Sequence, residues 1–122
     1  MAGIIYTPVT LWEGFAPELP IREEKTAEYE REGIVYSKIR FEGRQTAEGK
    51  VKIFALTAYD KRNAKMPGVL IFPSYGKKPD EKIAAYFASR GYFAMMVDYC
   101  GRQDGCEDFT EYPADVAYAN FK

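Results

Sequence analysis

No histidine occurs among the 122 residues. Its absence excludes, within these residues, a Ser-His-Asp or Cys-His site, a histidine-containing zinc site and a histidine general base. Cysteine is scarce as well. Cys100 and Cys106 are the only two, and Cys-x5-Cys is neither the Cys-x-x-Cys of redox motifs nor a common zinc spacing. Two thiols cannot close a zinc site without carboxylate help, so they read as idle or buried small hydrophobes, and neither a metal nor another cofactor is expected. An excess of one charge is also missing: 17 basic residues stand against 18 acidic ones, a formal charge of -1. With no basic block, nucleic acid and anionic membrane surfaces are not expected as partners. No apolar run approaches the roughly 18 residues of a membrane span. The opening Met-Ala-Gly-Ile-Ile-Tyr-Thr-Pro carries no basic region ahead of its short apolar run, so it does not resemble a secretory leader and a cytoplasmic protein is expected.

Apolar residues are plentiful, at 47% with 16% aromatic, enough for one domain, or part of one, folded around a core. The chain is organised around residues 67–102. Val69 to Phe72 is a short continuous apolar run closed by Pro73, which suits a strand buried on both faces. Asp80 can cap a following helix, and Glu81 places negative charge in its first turn. Ile83, Ala84, Phe87 and Ala88 make one apolar stripe over residues 81–90, and Gly91 is placed to end the helix in the left-handed conformation. Tyr92 to Val97 is a second apolar run, so the unit reads as two parallel strands joined by a crossover helix. Ligands of open α/β sheets sit beyond the carboxyl ends of the strands, which here means Pro73 to Lys77 and Asp98 to Arg102.

Residues 1–33 read as an extended N-terminal arm. Pro8, Pro17 and Pro20 forbid a long helix there, and Leu11, Trp12, Phe15 and Leu19 are expected to pack on the domain. Ile21 to Glu32 is dense in charge, and both a short solvated helix ending at Gly33 and an extended lead into the next strand fit it. Ile34 to Phe41 alternates as a half-exposed strand, with Val35, Ile39 and Phe41 on one face and Tyr36, Lys38 and Arg40 on the other. Residues 42–49 read as a polar connection, and Val51 to Tyr59 as a second strand completing an antiparallel hairpin. After a loop over residues 103–112, a helix is expected from Pro113 to Lys122.

This order, with Pro-Ser-Tyr-Gly after one strand and Gly91-Tyr-Phe-Ala-Met-Met-Val-Asp-Tyr-Cys-Gly around the next, resembles the N-terminal part of an α/β-hydrolase. It is most similar to the acetyl xylan esterase, dienelactone hydrolase and prolyl-oligopeptidase-like group. The resemblance covers residues 34–122 and implies an α/β fold: a partial hydrolase sheet with an antiparallel hairpin, a parallel βαβ unit and an incomplete three-layer αβα arrangement. It further implies an oxyanion-hole backbone at Tyr75 and Gly76, with Ser74, Tyr75, Asp98, Tyr99 and Arg102 in substrate-side loops. Pro73-Ser74 stands where the family usually has His-Gly. Asp98 is mostly structural in the family.

The family's Gly-x-Ser-x-Gly elbow is absent, since Ser37, Ser74 and Ser89 are the only serines and none has the glycine frame. The expectation is therefore the N-terminal fragment of a carboxylic-ester hydrolase, inactive alone. The alternative is a non-catalytic interaction module. Because the resembled fold orders its first four strands 1-2-4-3, the strand at residues 67–72 would lie at an open edge, so the expected partner is the missing C-terminal half or a second copy in a homo-oligomer.

Overall fold

The computed structural model describes residues 22–74, 76–103 and 105–114. Among them, five strands form one mixed sheet with a single helix: β1 Glu24–Arg31, β2 Ile34–Thr46, β3 Gly49–Asp60, β4 Gly68–Ile71, α1 Glu81–Ala88 and β5 Phe93–Val97. The sheet order is β1-β2-β3-β5-β4. β1, β2, β3 and β5 pair antiparallel in succession, and β4 pairs parallel with β5. The hairpin and the parallel pair are both present. No helix among the described residues is long and apolar enough to cross a membrane.

α1 forms where its capping chemistry is. Asp80 is extended and its carboxylate accepts from the Lys82 amide, with Glu81 in the first turn. Gly91 follows with φ 92, the left-handed geometry that lets the chain leave the helix and enter β5. The helix lays Ala84 and Ala88, both fully buried, on Leu56 and Ala58 of β3 and on Ala94 and Met96 of β5. Small residues on both surfaces allow this close approach, so Ile83, expected in the apolar stripe, is rotated out and 43% exposed.

Glu24–Arg31, within the predicted arm, is an edge strand hydrogen-bonded to β2. Of the two conformations open to this stretch from sequence, the extended one is realised, and the reason is tertiary. Tyr29 stacks on Tyr36 of β2 with ring centroids 5.3 Å apart, and the Arg31 guanidinium lies over both rings. The Tyr29 hydroxyl and Arg31 Nη1 both donate to the Glu81 carboxylate at the start of α1, the latter at 2.6 Å. Tyr36 is consequently buried, so the β2 face expected to be the exposed one carries core. Residues 1–21, with the arm's aromatics, lie outside the described residues.

The polar connection expected over residues 42–49 is mostly strand. The β2–β3 pairing continues past a register shift between Glu42 and Gln45 to Thr46↔Gly49, leaving a tight turn at Ala47 and Glu48. Thr46 Oγ1 donates to the Gly49 carbonyl across it. β4 is likewise not buried on both faces: Leu70 is 56% exposed and Phe72, just beyond it, 62%. Val69 and Ile71 point to the side covered by α1 and pack on the core, whereas Leu70 and Phe72 point to the other. The expected helix at Pro113 to Lys122 lies outside the described residues beyond Ala114.

Among the described residues, Met96 is the largest side chain with no exposure, on the strand between β3 and β4. Met96→Ala is expected to cost about 3 kcal/mol in urea unfolding, while Leu70→Ala should stay within about 0.5 kcal/mol, as expected for an exposed side chain.

Candidate functional site

Because β4 and β5 are parallel, their carboxyl ends lie side by side, and the loops leaving them form one cluster. The β4 loop turns at Ser74, whose carbonyl accepts from the Lys77 amide at 2.8 Å. The Gly76 amide donates to Cys100 Sγ at 3.2 Å, and Gln103 Nε2 donates to the Gly76 carbonyl at 3.2 Å, so the two loops are tied to each other directly. Tyr75 lies outside the described residues. Ser74 and Arg102 are exposed, and the Tyr99 ring meets Phe72 edge-on with centroids 6.5 Å apart.

Asp98 is the centre of this cluster. Its side chain has no solvent exposure, and both carboxylate oxygens are engaged. Oδ2 accepts from Lys78 Nζ at 3.0 Å and from the Thr110 amide at 2.7 Å, while Oδ1 accepts from the Cys100 amide at 3.3 Å. Lys78 Nζ also donates to the Gly101 carbonyl at 2.5 Å. A carboxylate buried and paired in this way fixes three chain segments and has no oxygen left for a substrate.

Thr110 extends the lock to the sheet. Its amide holds the Asp98 carboxylate, its hydroxyl donates to the Asp98 carbonyl, and the same oxygen accepts from the Phe54 amide at 3.0 Å. Glu111 and Lys52 then exchange both backbone hydrogen bonds, a one-residue antiparallel bridge that continues the sheet beside β3 beyond the end of β5. The Tyr112 hydroxyl donates to the Tyr99 carbonyl. Burial, then the electrostatic influence of Asp98 and Cys100, push the Tyr112 phenol up to about 12. Gly101 has φ 82, and a Cβ there would meet the Tyr112 ring at 3.2 Å, so both backbone geometry and space require glycine.

Of the residues singled out from sequence, Ser74, Gly76, Asp98, Tyr99 and Arg102 all fall in these loops, with only Asp98 in the interior. Lys78, Thr110 and Tyr112 carry the cluster and were not singled out. A lysine two residues before the cap of α1 looks like a solvated charge, and nothing local marks Thr110 as the partner of a residue twelve positions earlier. No group of three or more potential metal ligands occurs among the described residues.

A concave region of about 510 Å³ lies elsewhere, lined by Arg22, Glu24, Arg40, Glu42, Lys52 and Glu111 among others. Four of its charges are paired with each other, Arg22 with Glu42 at 3.0 Å and Arg40 with Glu111 at 3.2 Å. Chemically, the Gly76, Lys77, Cys100 and Thr110 amides of the loop cluster are all engaged, and the carboxylate among them is already spent. Compared with family models, with curated proteins and with solved structures, the chain matches none.

Lys78→Met strands the buried Asp98 charge and is expected to cost about 3 kcal/mol in denaturant unfolding. The double variant with Asp98→Asn should recover part of that loss, and strict additivity of the two changes would show that the pair does not interact. A second expectation concerns alkali. A phenol raised from 10.0 to about 12 in the folded chain contributes stability that is complete below pH 10 and lost as pH rises through 12. Tyr29, also pushed up to about 12 by burial and by the hydrogen bond and charge of Glu81, acts in the same direction. Tyr112→Phe should therefore lose about 1 kcal/mol at neutral pH, for the missing hydrogen bond, and show a shallower loss of stability between pH 10 and 12.

Proposed function

We propose that these residues form the N-terminal half-sheet of a carboxylic-ester hydrolase of the α/β-hydrolase type, similar to acetyl xylan esterases, and that they supply framework and oxyanion-side backbone rather than the nucleophile. The observation that carries this is strand order and direction. β2, β3, β5 and β4 follow one another with β3 antiparallel to both neighbours, and β4 and β5 are parallel and linked through α1. That is the order 1-2-4-3 with an additional edge strand, β1, ahead of it.

In this reading β4 is an inner strand whose next neighbour comes from further chain, which together with further helices completes a three-layer αβα domain. The loop at Ser74 to Lys77 then faces the reacting carbonyl, with the Tyr75 amide as oxyanion donor. Nucleophile and base come from outside these residues, because no histidine and no Gly-x-Ser-x-Gly occurs within them. Both thiols are free, which fits the reducing cytoplasm.

A second reading rests on the β4 edge. The Pro67 carbonyl accepts from the Phe93 amide at 2.9 Å, so by strand alternation the peptide groups of Gly68, Leu70 and Phe72 face away from β5. Exposed Leu70 and Phe72 flank them. With no charge on this edge to deter pairing, a second copy adding β4 to β4 would make the chain a self-associating, non-catalytic module.

The chain alone is expected to hydrolyse nitrophenyl acetate no faster than buffer does. Turnover proportional to protein and abolished by a serine-directed inhibitor would overturn the absence of a nucleophile. Sequencing the transcript beyond the Lys122 codon separates the two readings. An in-frame Gly-x-Ser-x-Gly within a few dozen codons supports the hydrolase. A stop codon without it, together with a discrete dimer in sedimentation, supports the module.

A further inference from the structure

The sheet has two faces, and the described residues account for the cover of only one. α1 lies on the face of Ile34, Tyr36, Leu56, Ala58, Ala94 and Met96. The opposite face carries a second cluster, Ile39, Ala55 and Val97 with Phe41, Ile53 and Met95 packed against it, and its described members are strand residues alone. Yet its centre is dry: Ser37, Ile39 and Thr57 are each 5% exposed or less and Ala55 is fully buried. A groove of about 440 Å³ runs across this face, from Glu23, Lys25 and Glu28 on the β1 side, over Ile39, Phe41 and Tyr59, to Phe93 and Met95.

We propose that residues 1–21 cross this second face as a strap and that Trp12 and Phe15 seat in the groove. The strap joins the sheet at the right place. Glu23 lines the groove, and Arg22 before it has φ 50, a left-handed residue at which the line of β1 ends. Its composition matches the face. Residues 1–21 contain Ile4, Ile5, Tyr6, Val9, Leu11, Trp12, Phe15 and Leu19 and only two charged side chains, Glu13 and Glu18, while Lys25 and Glu28 on the rim are already paired with each other at 3.1 Å. The prolines at 8, 17 and 20 favour the extended form that a strap needs.

Reach is ample. Five strands span about 19 Å between the axes of the outer two, whereas the eleven steps from Trp12 to Glu23 extend up to about 36 Å. The other terminal segment is poorly placed for the task. It follows Glu111, whose side chain pairs with Arg40. Arg40 alternates with the groove residues Ile39 and Phe41, so it lies on the α1 side of the sheet.

Trp12 is the sole tryptophan, so its fluorescence reports on the strap in the 122-residue chain. Acrylamide should quench native Trp12 severalfold less than in urea-unfolded protein, with the emission shifted to the blue. Met95→Lys, which puts a charge in the groove, should restore most of the quenching, while Lys82→Ala on the exposed side of α1 should not. Should Met95→Lys unfold the chain, the wild type still answers. With methyl-labelled methionine, a nuclear Overhauser contact from the Met95 methyl to the Trp12 indole is expected. Quenching equal to that of the unfolded chain, or no such contact, overturns the proposal. So does shielding that vanishes on dilution in step with a dimer in sedimentation, which would assign the groove to the arm of a second copy.

Discussion

The buried carboxylate of Asp98 is the group on which three separate segments of the chain converge. It sits at the end of β5, the strand bonded to both β3 and β4, and accepts from Lys78 of the β4 loop, from the Cys100 amide of its own loop and from the Thr110 amide of the segment beside β3. A buried charge of this kind adds little net stability compared with an apolar replacement, but removing one partner is costly because the remaining charge is left unsolvated. Its value is positional: three loops without regular structure have one arrangement in which the carboxylate is satisfied. Gly101 and Tyr112 close the same knot, one by lacking a side chain and the other by filling that space.

The sheet divides the work differently on its two faces. Under α1 the contact is made by alanines, Ala84 and Ala88 against Ala58 and Ala94, with Met96, Leu56 and Tyr36 filling the remainder. Helix and sheet come close there, and eight residues of helix suffice. The second face has small residues at its centre, Ser37, Ala55 and Thr57, with Phe41, Tyr59, Phe93 and Met95 around a groove. β1 contributes to both sides, with Tyr29 and Arg31 reaching Glu81 over the helical face and Lys25 and Glu28 forming the rim of the groove.

Local patterns made the parallel pair legible in the sequence. The cap at Asp80, the stop at Gly91 and the two apolar runs are each specified by a few neighbouring residues, and each is found close to where those residues place it. β1 was not fixed in this way, because the sequence from Glu24 to Arg31 is charged at most positions and its strand state rests on Tyr29 and Arg31 meeting Tyr36 and Glu81. The polar stretch after Phe41 failed for a related reason: a long hairpin can carry polar residues on strands that project beyond the core, and Thr46 with Gly49 closes a turn that composition alone does not separate from a loop. In the loop cluster, the position of Asp98 at a strand end was readable. Its partners Lys78 and Thr110 were not, since they are chosen by the packing of loops twenty and twelve residues away.

The same cluster constrains what chemistry these residues can contribute. General-base catalysis needs an acceptor within reach of a reacting proton and free to take it, and the central carboxylate here is consumed by Lys78 and two backbone amides. Oxyanion stabilisation has a lighter requirement, namely backbone donors held in place before the charge develops. The described part of the β4 loop is tied by Lys78 to the Gly101 carbonyl, by the Gly76 amide on Cys100 and by Gln103 on the Gly76 carbonyl, so the Gly76 donor is itself already used. Locking the carboxylate to brace the loop therefore removes it as a base and leaves the proposed oxyanion role to the backbone. With no histidine in the sequence, a histidine base for the hydrolase proposed above would have to come from outside these residues.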